Sequence, residues 1–172
     1  MIVKGKITKL RMSALDYFAD ILLTKQMSRH IIVTVTFRKK MDHLGLTTVE
    51  DYNLSGKPRE FVLDIHRNQI EEEIIRTLAH EMVHVKQLVY HETNDELSVW
   101  KGKRVNSDLL DYWHHPWEIE AYGCEVGLFT TFAIKENLWD VLRNISNPNE
   151  TILWEEIGCS IFIASITNKR SP

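Results

Sequence analysis

Apolar positions change their period along the chain, and the changes mark its elements. Over residues 14–26, Leu15, Phe18, Ala19, Leu22 and Leu23 recur at helical spacing. Ser13 precedes them in capping-box form, with Asp16 in place of the usual Glu. Residues 31–38 are rich in β-branched side chains and predict a strand. A second, weaker strand is predicted over 44–52. A third, over 61–65, follows the breaker Gly56-Lys57-Pro58. Short polar turns between these runs predict a small, mainly antiparallel sheet.

A long helix is predicted from Asn68 to about Tyr90, with Glu71, Glu72 and Glu73 at its positive end. Ile74, Leu78, Met82, Val85 and Val89 form its buried stripe. Residues 92–112 are polar and aperiodic, with a short hairpin tip over 99–103. Pro116 suits the first turn of a helix over 116–134, because its missing N–H costs nothing there. Helices over 138–145 and 152–166 are expected to follow, broken at Asn147-Pro148-Asn149. The expected fold class is α+β, one domain over residues 1–172, with helices packed on the sheet.

Composition narrows the picture little. The chain has 172 residues, 44% hydrophobic and 26% charged, which suits one globular domain. Its net charge of -3 lacks the basic footprint of a nucleic-acid binder. The short runs Arg38-Lys39-Lys40 and 101–104 read as solvated strand ends. Cys124 and Cys159 form no Cys-x-x-Cys pair and read as small buried hydrophobes in a reducing compartment. Residues 1–10 lack the apolar run of a secretion signal, and 157–166 is too short to span a bilayer. The expectation is a soluble, cytoplasmic protein; one packaged in a particle or released by lysis would read the same.

The chemistry is concentrated in His80-Glu81-Met82-Val83-His84. Helix positions four apart share a face, so both imidazoles can aim a nitrogen at one ion. They lie off the apolar stripe. Glu81 points beside the ion, where it can take a proton from a zinc-bound water. Two unrelated histidines beside a glutamate would spell the same string, and the amphipathic context favours the metal reading. A catalytic zinc site needs a third protein ligand and an open place. His91, His114, His115, Glu118 and Glu120 are the candidates. His91 is two turns from His84, about 10.5 Å of rise, too far unless the helix breaks.

Pro116-Trp117-Glu118-Ile119-Glu120-Ala121 resembles the Glu-x-Glu-Ala segment downstream of His-Glu-x-x-His in gluzincin metallopeptidases. The resemblance covers roughly residues 68–127, with a matching order of helix, small sheet, metal helix and ligand helix. Trp100-Lys101-Gly102-Lys103 resembles small metallopeptidase domains of prokaryotes and phages. It implies a zincin-like fold, Zn2+ held by His80, His84 and Glu118, Glu81 as general base, and a peptide or protein substrate. It also implies that the strand before the metal helix, over 61–66, forms the rim of the cleft.

Two features depart from that pattern. Tyr122 stands where gluzincins usually carry an Asp or Asn partner for a histidine, and the gap from His84 to Glu118 is long, at 34 residues (118 minus 84). Glu120 therefore stays as an alternative ligand, although it faces about 200° away from Glu118 on a helix. In a SprT-like, DNA-associated protease, His114 or His115 would coordinate instead. A non-catalytic zinc-binding module is a further alternative, which Glu81 argues against. Tyr112, His114 and His115 are candidate donors to a reaction oxyanion, and Glu125 reads as a surface acid.

Overall fold

The computed structural model describes residues 1–139. The two helices expected over 138–145 and 152–166, and Cys159, lie essentially outside these residues. In chain order the elements are β1 (Ile2–Lys4), α1 (Lys9–Leu22), α2 (Lys25–Ser28), β2 (Ile32–Arg38), β3 (Gly45–Tyr52) and β4 (Pro58–His66). Then follow α3 (Glu71–Val89), β5 (Val99–Trp100), β6 (Lys103–Arg104) and α4 (Pro116–Lys135). The fold is α+β, with helices against a small sheet.

The sheet is mixed, not mainly antiparallel. Its order is β1-β2-β4-β3. β1 runs parallel to β2, and β2 parallel to β4; β3 alone is antiparallel, to β4. The expectation of antiparallel strands assumed that neighbours in sequence pair in space. Here β1 reaches β2 through α1, a helical crossover that makes parallel pairing the available one. β3 folds beyond β4, not between β2 and β4. β1 was missed because three residues carry too little pattern to register.

Position in the sheet follows from side-chain alternation. Val33, Val35, Phe61, Leu63 and Ile65 point to one face and are fully buried under the helices. In the β3–β4 register Gly45 pairs with Ile65, Thr47 with Leu63 and Val49 with Phe61. Gly45, Thr47 and Val49 therefore share the helix-covered face. β4 is internal, and β3 is the outer strand beside α3. The strand over 61–66 is therefore internal, and the sheet edge on this side is β3.

α1 starts at Lys9, earlier than expected. Thr8 caps it by accepting the N–H of Arg11 at 3.3 Å, and Ser13 lies within the helix. Thr24 caps α2, so the region expected as one helix to residue 26 is two. α1 packs Ala14, Leu15, Phe18 and Ala19 into the core. Arg11 ties it to α3 through Glu71, at 2.8 Å from Nε.

α3 starts at Glu71, not Asn68. Glu73 accepts the N–H of Ile70 at 3.0 Å, which closes the helix start. The stripe Ile74, Leu78, Met82, Val85 and Val89 is buried as expected. Burial of such side chains contributes about 1.5–3 kcal/mol each. This fixes the rotation of α3 and thereby the direction of its other face. β5 and β6 form the hairpin, turning at Lys101 (φ 47°) and Gly102 (φ 81°). Positive φ at both turn positions matches the twist of a two-residue hairpin. α4 begins at Pro116 as expected and packs along α3. No helix among the described residues is long and apolar enough to cross a membrane.

Candidate metal centre

Packing of α4 on α3 brings His80, His84 and Glu118 together. Their ligand atoms all lie within 4.8 Å of one another. His80 Nε2 is 3.1 Å from His84 Nε2 and 3.3 Å from Glu118 Oε2. His84 Nε2 is 3.6 Å from Glu118 Oε1. Ligand atoms at 2.0–2.2 Å in a tetrahedron stand about 3.3–3.6 Å apart, from the edge-to-radius ratio of that figure. The nearest approaches fall close to that spacing, although the two imidazoles meet different oxygens of Glu118; one atom from each residue lies within 4.8 Å of the others, so the group could hold one ion.

The other nitrogens of the two rings face outward to acceptors. His84 Nδ1 lies 2.9 Å from Gln87 Oε1. His80 Nδ1 lies 3.4 Å from Glu125 Oε2, without the alignment of a hydrogen bond. Outward Nδ1–H groups leave both Nε2 lone pairs for the centre. Glu125 is not the surface acid expected. It is two turns beyond Glu118 on the same stripe of α4, half-buried between His80 and Arg76, whose Nε is 3.0 Å away. Tyr122 does not replace the acidic partner of the family pattern. Its ring packs edge-on against His80, with centroids 4.5 Å apart.

Electrostatics show the centre's demand for positive charge. Burial alone would lower the His80 imidazole, but Glu118 and Glu125 outweigh it and raise it to about 9. His84 is raised in the same way, against its burial, chiefly by Glu118. Burial alone would raise Glu118, yet His80, His84 and Tyr112 hold its carboxyl far below the usual range. Tyr112 donates to Glu118 Oε2 at 2.9 Å. Protons on the imidazoles or a bound cation can each meet this demand.

Glu81 sits apart from the three ligands, 4% exposed. Burial raises its pKa, opposed by His84 and by the hydroxyl of Thr47. Thr47 donates to Glu81 Oε2 at 2.7 Å from β3. Gly45, two residues earlier on the same face, leaves the room that the carboxylate occupies.

The alternative ligands lie elsewhere. Glu120 binds Lys101 at 2.9 Å and Lys86 at 3.2 Å; burial raises its carboxyl, but Gln87, Lys101 and Lys86 outweigh that and hold it down at about 2. His114 is exposed beside Asp111, and His115 Nε2 lies 3.2 Å from Ser107 O. His91 follows the end of α3 with φ 56°. None of them enters the cluster. Sequence reasoning missed Gln87, Thr47 and Gly45. Gln87 had a signal, since it follows His84 by three on a helix; the two β3 residues had none without the sheet register.

No protein-family model matches the chain, and comparison with curated proteins and with solved structures gave no match either.

Proposed function

We propose that this chain is a zinc-dependent metallopeptidase of zincin-like architecture, with His80, His84 and Glu118 as ligands and Glu81 as general base. The observation that carries the reading is the convergence of two imidazole nitrogens, 3.1 Å apart, on the Glu118 carboxylate, one atom from each residue lying within 4.8 Å of the others, beside a buried carboxylate that is not one of them. Two imidazoles and one carboxylate form a donor set suited to zinc. When bound, the metal supplies Lewis acidity and makes a coordinated water acidic near neutral pH.

The chain's own residues do the rest. Glu118, anchored by Tyr112, balances the charge of the cation. Glu125 and Gln87 hold the two imidazoles with Nδ1 outward. Glu81 takes a proton from attacking water and returns it to the leaving amine; its raised pKa brings it nearer to the working range of a general base. β3 is an outer strand alongside this centre, and an extended peptide can add to it by main-chain hydrogen bonds. Among the described residues the cluster offers three protein ligands, which leaves a place for solvent and favours catalysis over a closed structural site.

The test combines metal analysis with turnover. At saturating zinc the wild type and Glu120→Ala should each take up one equivalent, while His84→Ala and Glu118→Ala should not. Glu81→Gln should keep zinc and lose cleavage of a quenched-fluorescent peptide library. A wild type that takes up no zinc, or a Glu81→Gln variant that still cleaves, overturns the proposal.

A further inference from the structure

Glu120, left aside as a ligand, is joined to the centre through one buried side chain. Gln87 is fully buried between α3 and α4. Its Nε2 donates to the carbonyl of Trp117 at 2.9 Å and to Glu120 Oε2 at 3.0 Å. Its Oε1 lies 2.9 Å from His84 Nδ1. Both partners of the NH2 group are pure acceptors, so its neighbours dictate the orientation of the amide. Turned over, the amide would set its oxygen against a carbonyl and a carboxylate, and its NH2 against His84. The carboxylate is itself fixed: Lys86 Nζ is 3.2 Å and Lys101 Nζ 2.9 Å from its two oxygens. Lys101 is a turn residue of the β5–β6 hairpin, so the chain of contacts runs from the hairpin tip to a ligand imidazole.

We propose that Glu120 is a positioning residue: by holding the NH2 of Gln87 it keeps Oε1 toward His84, which puts the His84 proton on Nδ1 and the Nε2 lone pair on the metal side. Its consequence for metal binding rests on the zinc reading above. The orientation of the Gln87 amide does not, because it exists in the metal-free chain. Trp117 O alone also favours this orientation, but a carbonyl is a weaker acceptor than a carboxylate. Loss of Glu120 therefore weakens the hold on the amide, so that the turned orientation, and with it the other His84 tautomer, gains population.

The decisive variants are Glu120→Leu, which removes the acceptor, and the pair Gln87→Glu with Glu120→Leu. A carboxylate at 87 presents an acceptor to His84 whichever way it turns, at the cost of one oxygen set against the Trp117 carbonyl. One-bond 1H–15N spectra of 15N-histidine-labelled protein, zinc-loaded and, for the metal-free chain, at a pH high enough to leave the raised His84 neutral, read the His84 Nδ1–H directly. The wild type should show it slowed in exchange. Glu120→Leu should lose it and bind zinc about 10–100-fold more weakly, as for other partners of ligand histidines. The double variant should recover the signal, a rescue that a merely structural role for Glu120 would not give. An unchanged signal and unchanged zinc affinity in Glu120→Leu overturns the proposal. If Glu120→Leu does not fold, the double variant decides: a folded protein without the signal overturns it. A wild type that binds no zinc would end the peptidase reading, while the metal-free spectra still decide the role of Glu120.

Discussion

Gly45 stands directly across from Glu81: a Cβ placed on it would lie 2.4 Å from Glu81 Oε1. The same Cβ would lie 2.6 Å from Thr77 Cγ2, so neither side is open. Gly45→Ala should push the Glu81 carboxylate off its position while leaving the three ligands in place. Peptide turnover should fall about 100-fold or more, in the range for a displaced general base. Bound zinc should stay near one equivalent, and overpacking should cost about 1–3 kcal/mol of stability. Metal analysis beside kcat/KM checks this; undiminished turnover would show that Glu81 has no fixed task.

Thr47→Val tests the same carboxylate from its other side. The substitution removes a donor 2.7 Å from Oε2 and keeps the side-chain shape. A donor to the charged form lowers a carboxyl pKa, so its removal raises that pKa further. The acid limb of the kcat/KM profile should move to higher pH, with the alkaline limb unmoved. A limb that stays where it was would mean that another group controls it.

How far the sequence reached is clear from these two residues. His80, Glu81 and His84 were legible because their relation is local: four residues on a helix whose apolar stripe was strong. Glu118 was reached through the resemblance, and its meeting with the histidines depends on α3–α4 packing, which Pro116 and the buried Trp117 and Ala121 help to set. Gly45 and Thr47 were not legible. Their contact with Glu81 depends on β3 pairing beyond β4, a choice that no local pattern encodes. The same blind spot produced the wrong strand sense and hid that the strand over 61–66 is internal. Glu125 was misread for a different reason: spacing placed it on the Glu118 stripe, but not the side of α4 that α3 covers.

Glu125→Ala should show that this acid belongs to the centre. It removes the carboxylate 3.4 Å from His80 Nδ1 and breaks the ion pair with Arg76. Zinc affinity should fall about 10–100-fold, as when the partner of a ligand histidine is lost. Arg76→Ala removes the ion pair, together with the Glu72 contact and the stacking over Phe129, but keeps the carboxylate, and so separates the two effects; its zinc affinity should change little. Isothermal titration of both variants checks this, and equal losses would make the Glu125 effect one of packing.

On the zinc proposal, protons and metal would compete for the same imidazole nitrogens, and pH separates them. In the metal-free chain His80 is raised from 6.5 to about 9, with burial opposing and Glu118 and Glu125 prevailing. A raised group gives stability that is fully present below its unfolded value and lost as pH rises through its folded value. His84 runs the same way, and so does Glu81, whose rise comes from burial. Glu118 and Glu125, lowered from 4.5, stay ionised across this window and add no slope there. The melting temperature of chelator-treated protein should therefore fall between pH 6.5 and 9. Zinc displaces those protons, so its affinity rises over the same interval, and its stabilisation grows as RT ln(1 + [L]/Kd). At fixed free zinc, the gap between the zinc-loaded and chelated melting curves should widen steadily from pH 6.5 to 9. Parallel curves would mean that the cation and the protons do not share a site.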